Sequence, residues 1–211
     1  MRIYSIKPKF QQLLNPVKTL FVKLKIHPTT INLLALLISI IGGILLYYSA
    51  NNLLLLIYIP FIAFIRTALN ALDGMVAREM KVENQKFGEV LNEFIDRLSD
   101  SAFFIGASLV AYANQTLGLL SFISVLLVSY LGIIGKSAGG SRQYLGLMGK
   151  ADRMFWLSVA AVAILIWNNT QIINWFFMFV IIFSIITMFQ RFKAIKKELY
   201  ISEKNKKQNK R

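Results

Sequence analysis

Two polar stretches interrupt a chain that is otherwise rich in apolar residues, and they decide how the fold is interpreted. Residues 66–78 read RTALNALDGMVAR and residues 88–100 read GEVLNEFIDRLSD. Long apolar runs flank both stretches, so we expect each of them to lie at one end of a membrane-spanning helix. Polar side chains inside membrane spans are energetically costly and usually functional. These two stretches are therefore the candidate functional region of the chain.

Helical spacing places the polar residues of each stretch on one face. Asn70 and Asp73 are three positions apart, whereas Asn92, Asp96 and Asp100 follow at intervals of four, and both spacings share a helix face. A short loop joins the two helices, so we expect antiparallel neighbours whose polar faces meet. Asp73 and Asp96 should then lie on the order of 10 Å below the membrane boundary. That depth suits the phosphate of a lipid.

Composition indicates an integral membrane protein and limits its chemistry. Of the 211 residues, 56% are hydrophobic and 16% are charged, whereas about a quarter of the residues in a soluble domain are charged. The sequence has no cysteine and a single histidine, His27, which excludes thiolate metal sites and clusters of histidine ligands. Any metal site must be built from oxygen ligands, and such ligands favour Mg²⁺, Mn²⁺ or Ca²⁺.

The apolar runs predict an all-α integral membrane protein with six transmembrane helices. The predicted spans cover residues 31–50, 53–78, 87–112, 117–134, 154–167 and 172–188. The turns at 51–52, 113–116 and 168–171 carry no charge, so the positive-inside rule places both termini and the charged loops in the cytoplasm. The predicted location is the inner membrane, with several passes and with the active site facing the cytoplasm.

Three segments are predicted along the chain. Residues 1–27 combine basic residues with apolar residues at a helical period, which predicts a basic amphipathic helix lying on the membrane surface. Residues 28–190 form the six-span domain, and residues 191–211 form a basic cytoplasmic tail. The net charge of +14 is concentrated towards the two ends. This distribution favours anionic membrane lipids as partners and argues against nucleic acid.

The spacing of the polar residues resembles the signature of the CDP-alcohol phosphatidyltransferase family. That signature is D-x-x-D-G-x-x-A-R, followed after a variable gap by G-x-x-x-D-x-x-x-D. The corresponding residues in this chain are Asn70, Asp73, Gly74, Ala77, Arg78, Gly88, Asn92 and Asp96. Two acidic positions of the signature are therefore amides here, a pattern that resembles a variant branch of the family.

The resemblance implies a reaction, a cofactor and a role for each motif residue. A phosphatidyl or related phospho-alcohol group would pass from a CDP-alcohol such as CDP-diacylglycerol to an acceptor alcohol, with release of CMP, in phospholipid biosynthesis. The implied ligands of Mg²⁺ or Mn²⁺ are Asp73, Asp96, Asn70 and Asn92. Asp96 would also act as the catalytic base that deprotonates the acceptor. The implied contacts of the CDP-alcohol are Gly74, Ala77, Arg78 and Gly88. The family also implies a homodimer.

Two further groups of residues are candidates for supporting roles. An amide oxygen can ligate a hard cation but brings no charge, so Glu89, Glu93 or Asp100 would supply the missing negative charge. The basic residues Arg142, Lys150 and Arg153 resemble the family's contact with the phosphate or head group of the acceptor. Ordinary positive-inside charge also explains these basic residues. The sequence leaves the identity of the acceptor open.

Other interpretations remain open from the sequence alone. Asp73 and Asp96 could form structural ion pairs with arginines such as Arg66. The protein would then be a catalytically degenerate family member that acts as a membrane lipid-binding or scaffold protein. A transporter is less favoured, because the sequence lacks paired half-repeats and broken helices. Binding of a divalent metal at the amide-containing motif distinguishes the enzyme from the scaffold.

Overall fold

The computed structural model describes residues 7–81 and 85–208, and the regular elements in this part of the chain are helices. They are α1 Lys7–Leu13, α2 Asn15–Lys23, α3 Pro28–Tyr48, a 3₁₀ helix at Leu53–Tyr58, α4 Ile59–Glu79, α5 Gln85–Leu109, α6 Gln115–Ser137, α7 Lys150–Trp167 and α8 Ile172–Gln208. The prediction of an all-α protein is confirmed. Residues 1–6 of the predicted N-terminal helix and residues 209–211 of the predicted tail lie outside the described residues.

Four segments within the described residues are long and apolar enough to cross a membrane. They are Pro28–Tyr48, Leu53–Glu79, Gln115–Ser137 and Ile172–Ser202. The other two predicted spans are also helical, as α5 and α7, but charge interrupts their apolar character. α5 carries four acids between Glu89 and Asp100, and α7 begins with the charged run Lys150-Ala-Asp-Arg153. The structure therefore supports a multi-pass membrane protein but not a count of six spans.

The N-terminal segment is not the one continuous helix that the sequence predicted. It forms two short helices that meet at Leu14, which is 7% exposed and packs into a cluster between α3 and α4. Lys18 Nζ lies 3.1 Å from Glu79 Oε2 at the end of α4. The Phe10 and Phe64 rings are 5.9 Å apart, and Phe64 lies about 22 Å from Glu79 along that helix. The segment therefore follows α4, because its apolar residues pack there.

The C-terminal boundary also differs from the prediction. The tail expected from residue 191 is not a separate segment, because α8 continues from Ile172 to Gln208. A helix of 37 residues is roughly 55 Å long, which exceeds the hydrocarbon thickness of about 30 Å. Arg191 is only 5% exposed. The helix is therefore held by contacts with the rest of the protein at the point where the tail was expected to begin.

Glycine allows α3 and α5 to pack closely. A Cβ atom at Gly106 would lie 2.1 Å from the carbonyl oxygen of Gly43, and one at Gly42 would lie 2.4 Å from the Phe103 ring. Small residues at helix contacts are typical of membrane proteins. Phe103 and Phe104 belong to the main hydrophobic core. α3 packs extensively against both α4 and α5, whereas α4 and α5 have hardly any close backbone contact with each other within the described residues. The prediction that the two helices are packed antiparallel neighbours is therefore wrong, because α3 takes the neighbouring position of each.

Candidate active site

A cavity brings the two polar stretches together. It has a volume of about 900 Å³ and is lined by α4, α5, α7 and the loop between α6 and α7. The motif residues in its wall are Asn70, Asp73, Gly74, Arg78, Asn92 and Asp96. Towards the other end of α4 the lining becomes apolar, with Pro60 and Phe64. The cavity is therefore amphipathic along its length.

Asp73 is buried in the cavity wall and forms no salt bridge with the described residues. It is 3% exposed, and its Oδ1 accepts a 2.6 Å hydrogen bond from the Gly74 backbone N–H. The Asn32 side chain of α3 also interacts with its carboxyl group, and the charges of Lys150 and Asp96 act on it. A buried carboxylate with so few direct partners is a good ligand for a cation.

Asp96 faces Asp73 from α5 and is 1% exposed. Its Oδ2 forms an ion pair with Lys150 Nζ at the start of α7 and lies 4.0 Å from Arg97 Nη2. Its Oδ1 has no hydrogen-bond partner within the described part of the chain, and neither has the buried Oδ1 of Asn92. These two acceptor oxygens lie one helical turn apart. Buried acceptors without donors indicate a ligand that is electropositive.

We call Asn70, Asp73, Asn92 and Asp96 the open acidic cluster. Its donors are two carboxylates and two amides, and no three Asp, Glu or His side chains gather as a metal-binding group within residues 7–81 and 85–208. Oxygen-only donors of this kind suit Mg²⁺ or Mn²⁺. The unpartnered oxygens of Asn92 and Asp96 fit such a cation. The low number of acids follows from the amides at positions 70 and 92.

Asp100 lies one turn beyond Asp96 but belongs to a different arrangement. It is fully buried, its Oδ1 accepts a 2.7 Å bond from Arg66 Nη2, and its Oδ2 accepts a 2.5 Å bond from Arg153 Nη1. Arg153 Nη2 donates to Ser129 Oγ at 2.8 Å. We call Arg66, Asp100 and Arg153 the closed ion cluster. It joins α4, α5 and α7, and through Ser129 it also reaches α6.

The closed ion cluster changes the interpretation of two residues. Arg66, which the sequence left as a possible partner of Asp73, pairs with Asp100 instead. Both oxygens of Asp100 accept bonds from arginine, and Asp100 is not among the described residues that line the cavity. A supporting role for Asp100 at a metal therefore has no geometric support. Arg153 does line the cavity, but its guanidinium is directed to Asp100 and Ser129.

The two remaining acids of α5, Glu89 and Glu93, also form ion pairs with basic residues. Glu93 lines the cavity and contacts Arg97 at 3.3 Å and Arg142. Glu89 pairs with Lys136 at 2.5 Å, and both of these side chains are about half exposed. Glu93 therefore lies where it can influence the open acidic cluster, whereas Glu89 lies at the surface.

Two predicted contacts of the CDP-alcohol lie apart from the cavity. Ala77 and Gly88 are not among the described lining residues, and a Cβ atom at Gly88 would meet no atom within 4 Å. Gly74 differs, because it lines the cavity and its Cβ position is 3.6 Å from Arg78 Nη1. Gly74 and Arg78 therefore keep their predicted place in the site, and the structure gives Ala77 and Gly88 no contact with it.

Sequence reasoning missed several lining residues. Gln143, Tyr144 and Arg191 all line the cavity, and the Arg142 guanidinium lies 4.9 Å from the centre of the Tyr144 ring. Arg191 was assigned to the tail because it follows the last apolar run. The four-residue spacing of Thr187 and Arg191 puts two polar residues on one helix face, and this could have indicated that α8 continues through Arg191 with a polar face towards the protein. For Gln143 and Tyr144 we find no local signal, because their positions depend on the path of a loop.

Comparison with known proteins now identifies the family. The family model for CDP-alcohol phosphatidyltransferase matches residues 25–150. The chain belongs to the CDP-alcohol phosphatidyltransferase family. The sequence prediction of this family is therefore confirmed. The matched region includes the open acidic cluster and ends at Lys150.

Relatives of known sequence or structure agree with this assignment. The chain is similar to inner membrane protein YnbA of Escherichia coli, with 40% identity over 80% of this chain and 86% of YnbA. It is also similar to archaetidylinositol phosphate synthase of Pyrococcus horikoshii, with 30% identity over 92% of this chain and 97% of that protein. The crystal structure of Mycobacterium tuberculosis phosphatidylinositol phosphate synthase PgsA1 with CDP-DAG bound has the same fold, with a TM-score of 0.73 and 19% identity over 87% of this chain and 94% of that one.

Proposed function

We propose that this family member is an active, divalent-metal-dependent transferase that uses a CDP-linked lipid such as CDP-diacylglycerol. The observation that carries the proposal is the amphipathic cavity with two facing buried carboxylates at its polar end. Its α4 wall extends from Arg78 to Pro60, a distance of about 27 Å along the helix. The cytidine diphosphate would lie at the Arg78 end, and the acyl chains would lie towards Pro60 and Phe64.

The open acidic cluster would hold Mg²⁺ or Mn²⁺. Asp73, Asp96 and the amide oxygen of Asn92 are the proposed ligands, with Asn70 beside them. A divalent cation in this place would neutralise the pyrophosphate and stabilise the departing phosphate of CMP. The amides at positions 70 and 92 would make this chain a variant of the family pattern, with Glu93 as an additional acid that lines the cavity.

The reaction exchanges one phosphorus–oxygen bond for another. The acceptor hydroxyl oxygen attacks the phosphorus that carries the lipid alcohol, and the bond from that phosphorus to the oxygen of CMP breaks. The bonding electrons leave with CMP. Asp96 would take the hydroxyl proton on the carboxylate oxygen that does not hold the cation, since its side chain lines the cavity. Arg78 would bind phosphate at the mouth of the site.

The charge of the cavity supports an anionic acceptor, such as a phosphorylated polyol. Its wall contains seven cationic residues and four acidic ones. An excess of positive charge in a partly buried site favours anionic ligands. Three relatives are named as synthases of inositol phosphate lipids. Arg142 and Lys150 would contribute to binding the acceptor, whereas the guanidinium of Arg153 is engaged by Asp100 and Ser129.

The proposal is tested with purified protein in detergent, CDP-diacylglycerol and Mg²⁺ or Mn²⁺. The acceptor panel includes phosphorylated polyols together with the corresponding unphosphorylated alcohols. We expect CMP release that depends on both the metal and the acceptor and is greatest with a phosphorylated acceptor. Absence of CMP release with every acceptor would support a degenerate membrane protein instead.

Two substitutions test the roles of the carboxylates. Asp73→Ala and Asp96→Ala should each reduce CMP release by about a thousandfold, since a metal contributes several kcal/mol to phosphoryl transfer. Glu79→Ala is the matched control, because Glu79 is on the same helix and pairs with Lys18 at the surface. Equal losses in all three variants would indicate damage to the fold.

Topology and assembly are further parts of the proposal. Uncharged turns and basic loops support six spans with cytoplasmic termini, a cytoplasmic active site, and anionic lipids at the basic surface. Reporters fused at Asn52, Asn114 and Asn169 should therefore read as external. Family resemblance supports a homodimer, which light scattering of the purified protein would detect as twice the chain mass. A reporter that reads as internal would contradict the six-span topology, and a monomeric mass would contradict the homodimer.

A further inference from the structure

The loop at residues 138–149 carries cavity residues but has no regular secondary structure. Arg142 and Tyr144 line the cavity from this loop, and Lys150 follows at the start of α7. A loop that carries binding residues needs a rigid support if those residues are to keep their places. The source of that support lies far away in the sequence, on α8.

Glu198 of α8 binds the first part of the loop. One carboxylate oxygen accepts a 2.7 Å bond from the Ser141 backbone N–H. The other accepts a 3.1 Å bond from Ser141 Oγ and a 2.7 Å bond from Gln143 Nε2. Hydrogen bonds to a charged acceptor are stronger than neutral ones. These three bonds hold Ser141 and Gln143 on either side of Arg142, so they fix the backbone that presents Arg142 to the cavity.

Two further residues of the same helix face bind the rest of the loop. Arg191 Nε donates to the Leu145 carbonyl at 2.8 Å. Thr187 Oγ1 accepts bonds of 3.1 Å from the backbone N–H groups of Leu147 and Met148. Positions 187, 191 and 198 are separated by four and seven residues, which places them on one side of the helix. The contacts therefore extend along the loop as far as Met148, just before α7 begins.

Close approach of the loop to α8 requires glycine. Gly146 has a φ of +113°, and a Cβ atom there would lie 2.2 Å from Thr187 Cγ2. Gly132 on α6 leaves space for Arg191, whose Nη1 would lie 2.6 Å from an added Cβ. The loop and α8 are therefore fitted to each other in shape as well as in hydrogen bonding.

These contacts give a physical reason for the length of α8. Its apolar part ends near Phe189, but Glu198 lies about 39 Å from Ile172 along the helix, beyond the hydrocarbon thickness of about 30 Å. All of α8 also lies outside residues 25–150, the part of the chain that the family model matches. We propose that Glu198 is a positioning residue. Together with Arg191 and Thr187, it holds the 138–149 loop so that Arg142 and Lys150 can bind the acceptor.

This inference rests on the proposed function for its effect on the acceptor, but the contact itself is tested separately. The test compares Glu198→Ala, Glu198→Gln and the control Lys197→Ala, whose side chain is exposed on the same helix. In Glu198→Ala we expect the KM for the acceptor to rise about tenfold, with the KM for the CDP-lipid changed less than twofold. Glu198→Gln should recover a large part of the loss, because a glutamine oxygen can still accept the bond from Ser141.

Limited proteolysis with trypsin, followed by mass identification of cleavage after Arg142, is the readout that is independent of activity. We expect this cleavage to be several-fold faster in Glu198→Ala than in Lys197→Ala. Unchanged cleavage in Glu198→Ala would overturn the proposal. Faster cleavage with an unchanged acceptor KM would also overturn it, because the loop would then be released without consequence for binding. If the unsubstituted protein releases no CMP, the proposed function fails, and the proteolysis result alone decides whether Glu198 holds the loop.

Discussion

Two aspartates on α5, one helical turn apart, lie in opposite surroundings. In the closed ion cluster, Asp100 has both oxygens bonded to arginines, at 2.7 and 2.5 Å. In the open acidic cluster, Asp96 has an ion pair with Lys150 on one oxygen and no partner among the described residues on the other. A buried charge without sufficient partners is destabilising. The comparison indicates that Asp100 serves the fold, whereas Asp96 is kept available for a ligand.

The largest expected effect comes from the same substitution made at each aspartate. Asp100→Asn should destabilise the protein by about 3–5 kcal/mol, because two buried guanidinium groups lose their counter-charge. Asp96→Asn should leave stability nearly unchanged, because Lys150 is about a third exposed and can be hydrated. The measurement is the midpoint of thermal aggregation in detergent, followed by size-exclusion chromatography.

Activity measurements complete this comparison. Asp96→Asn should lose CMP release while the folded protein elutes normally. The distinction between the clusters would be wrong if Asp100→Asn were as stable as the unsubstituted protein and had lost CMP release. It would also be wrong if Asp96→Asn unfolded.

The comparison also shows what the sequence could and could not predict. Apolar length and helical spacing are local signals, so they predicted the helices and the placement of Asp73 and Asp96 on polar helix faces, which line one cavity. They did not predict that α3 packs against α4 and α5 in place of a close backbone contact between those two helices. The partners of Asp100 are 34 and 53 residues away in the chain. Glu198 is 57 residues from Ser141. Contacts at such separations depend on how helices pack, and neither residue spacing nor composition determines that packing.

The boundaries of the two terminal segments were predicted less well than the helices, because they too depend on contacts between residues that are distant in the sequence. The N-terminal segment was predicted as one helix, but it is divided at Leu14, which is buried against α3 and α4. The chain after residue 191 is basic, yet Arg191 and Glu198 bind the loop and keep α8 helical beyond the apolar run. In both cases tertiary contacts override the local pattern.

The second expected effect concerns the amides of the open acidic cluster. The double substitution Asn70→Asp with Asn92→Asp restores the acidic family pattern. We expect it to lower CMP release about tenfold, because the added carboxylates repel Asp73 and Asp96 and over-coordinate the cation. Thermal stabilisation by Mn²⁺ should increase at the same time. A rise in CMP release above that of the unsubstituted protein would instead indicate a decayed site that the acids repair.

A smaller effect is expected at Lys150, whose ammonium competes with a cation for Asp96. Lys150→Gln should tighten Mn²⁺ binding about fivefold, since removal of one competing charge contributes roughly 1 kcal/mol at a partly hydrated site. Titration of Mn²⁺ by its paramagnetic resonance signal measures this directly. Lys136→Gln is the control, because Lys136 pairs with Glu89 at the surface. Weaker Mn²⁺ binding in Lys150→Gln would show that Lys150 supports the metal site rather than competes with it.

The smallest effect is expected at Glu89, in contrast with Glu93 one turn further along α5. Glu89 and Lys136 are each about half exposed, and such pairs contribute about 0–1 kcal/mol. Glu89→Gln should therefore change CMP release less than twofold.

Glu93 is 14% exposed and holds Arg97 and Arg142 beside the cavity, so Glu93→Gln should reduce release about threefold to tenfold. Metal and acceptor titrations of both variants separate the two possible causes. A shift in the Mn²⁺ requirement of Glu93→Gln would mean that Glu93 supplies charge missing from Asn70 and Asn92, whereas a shift in the acceptor KM alone would mean that it acts through Arg142. If Glu89→Gln is the more damaging change, surface exposure is not the property that separates the open acidic cluster from its surroundings.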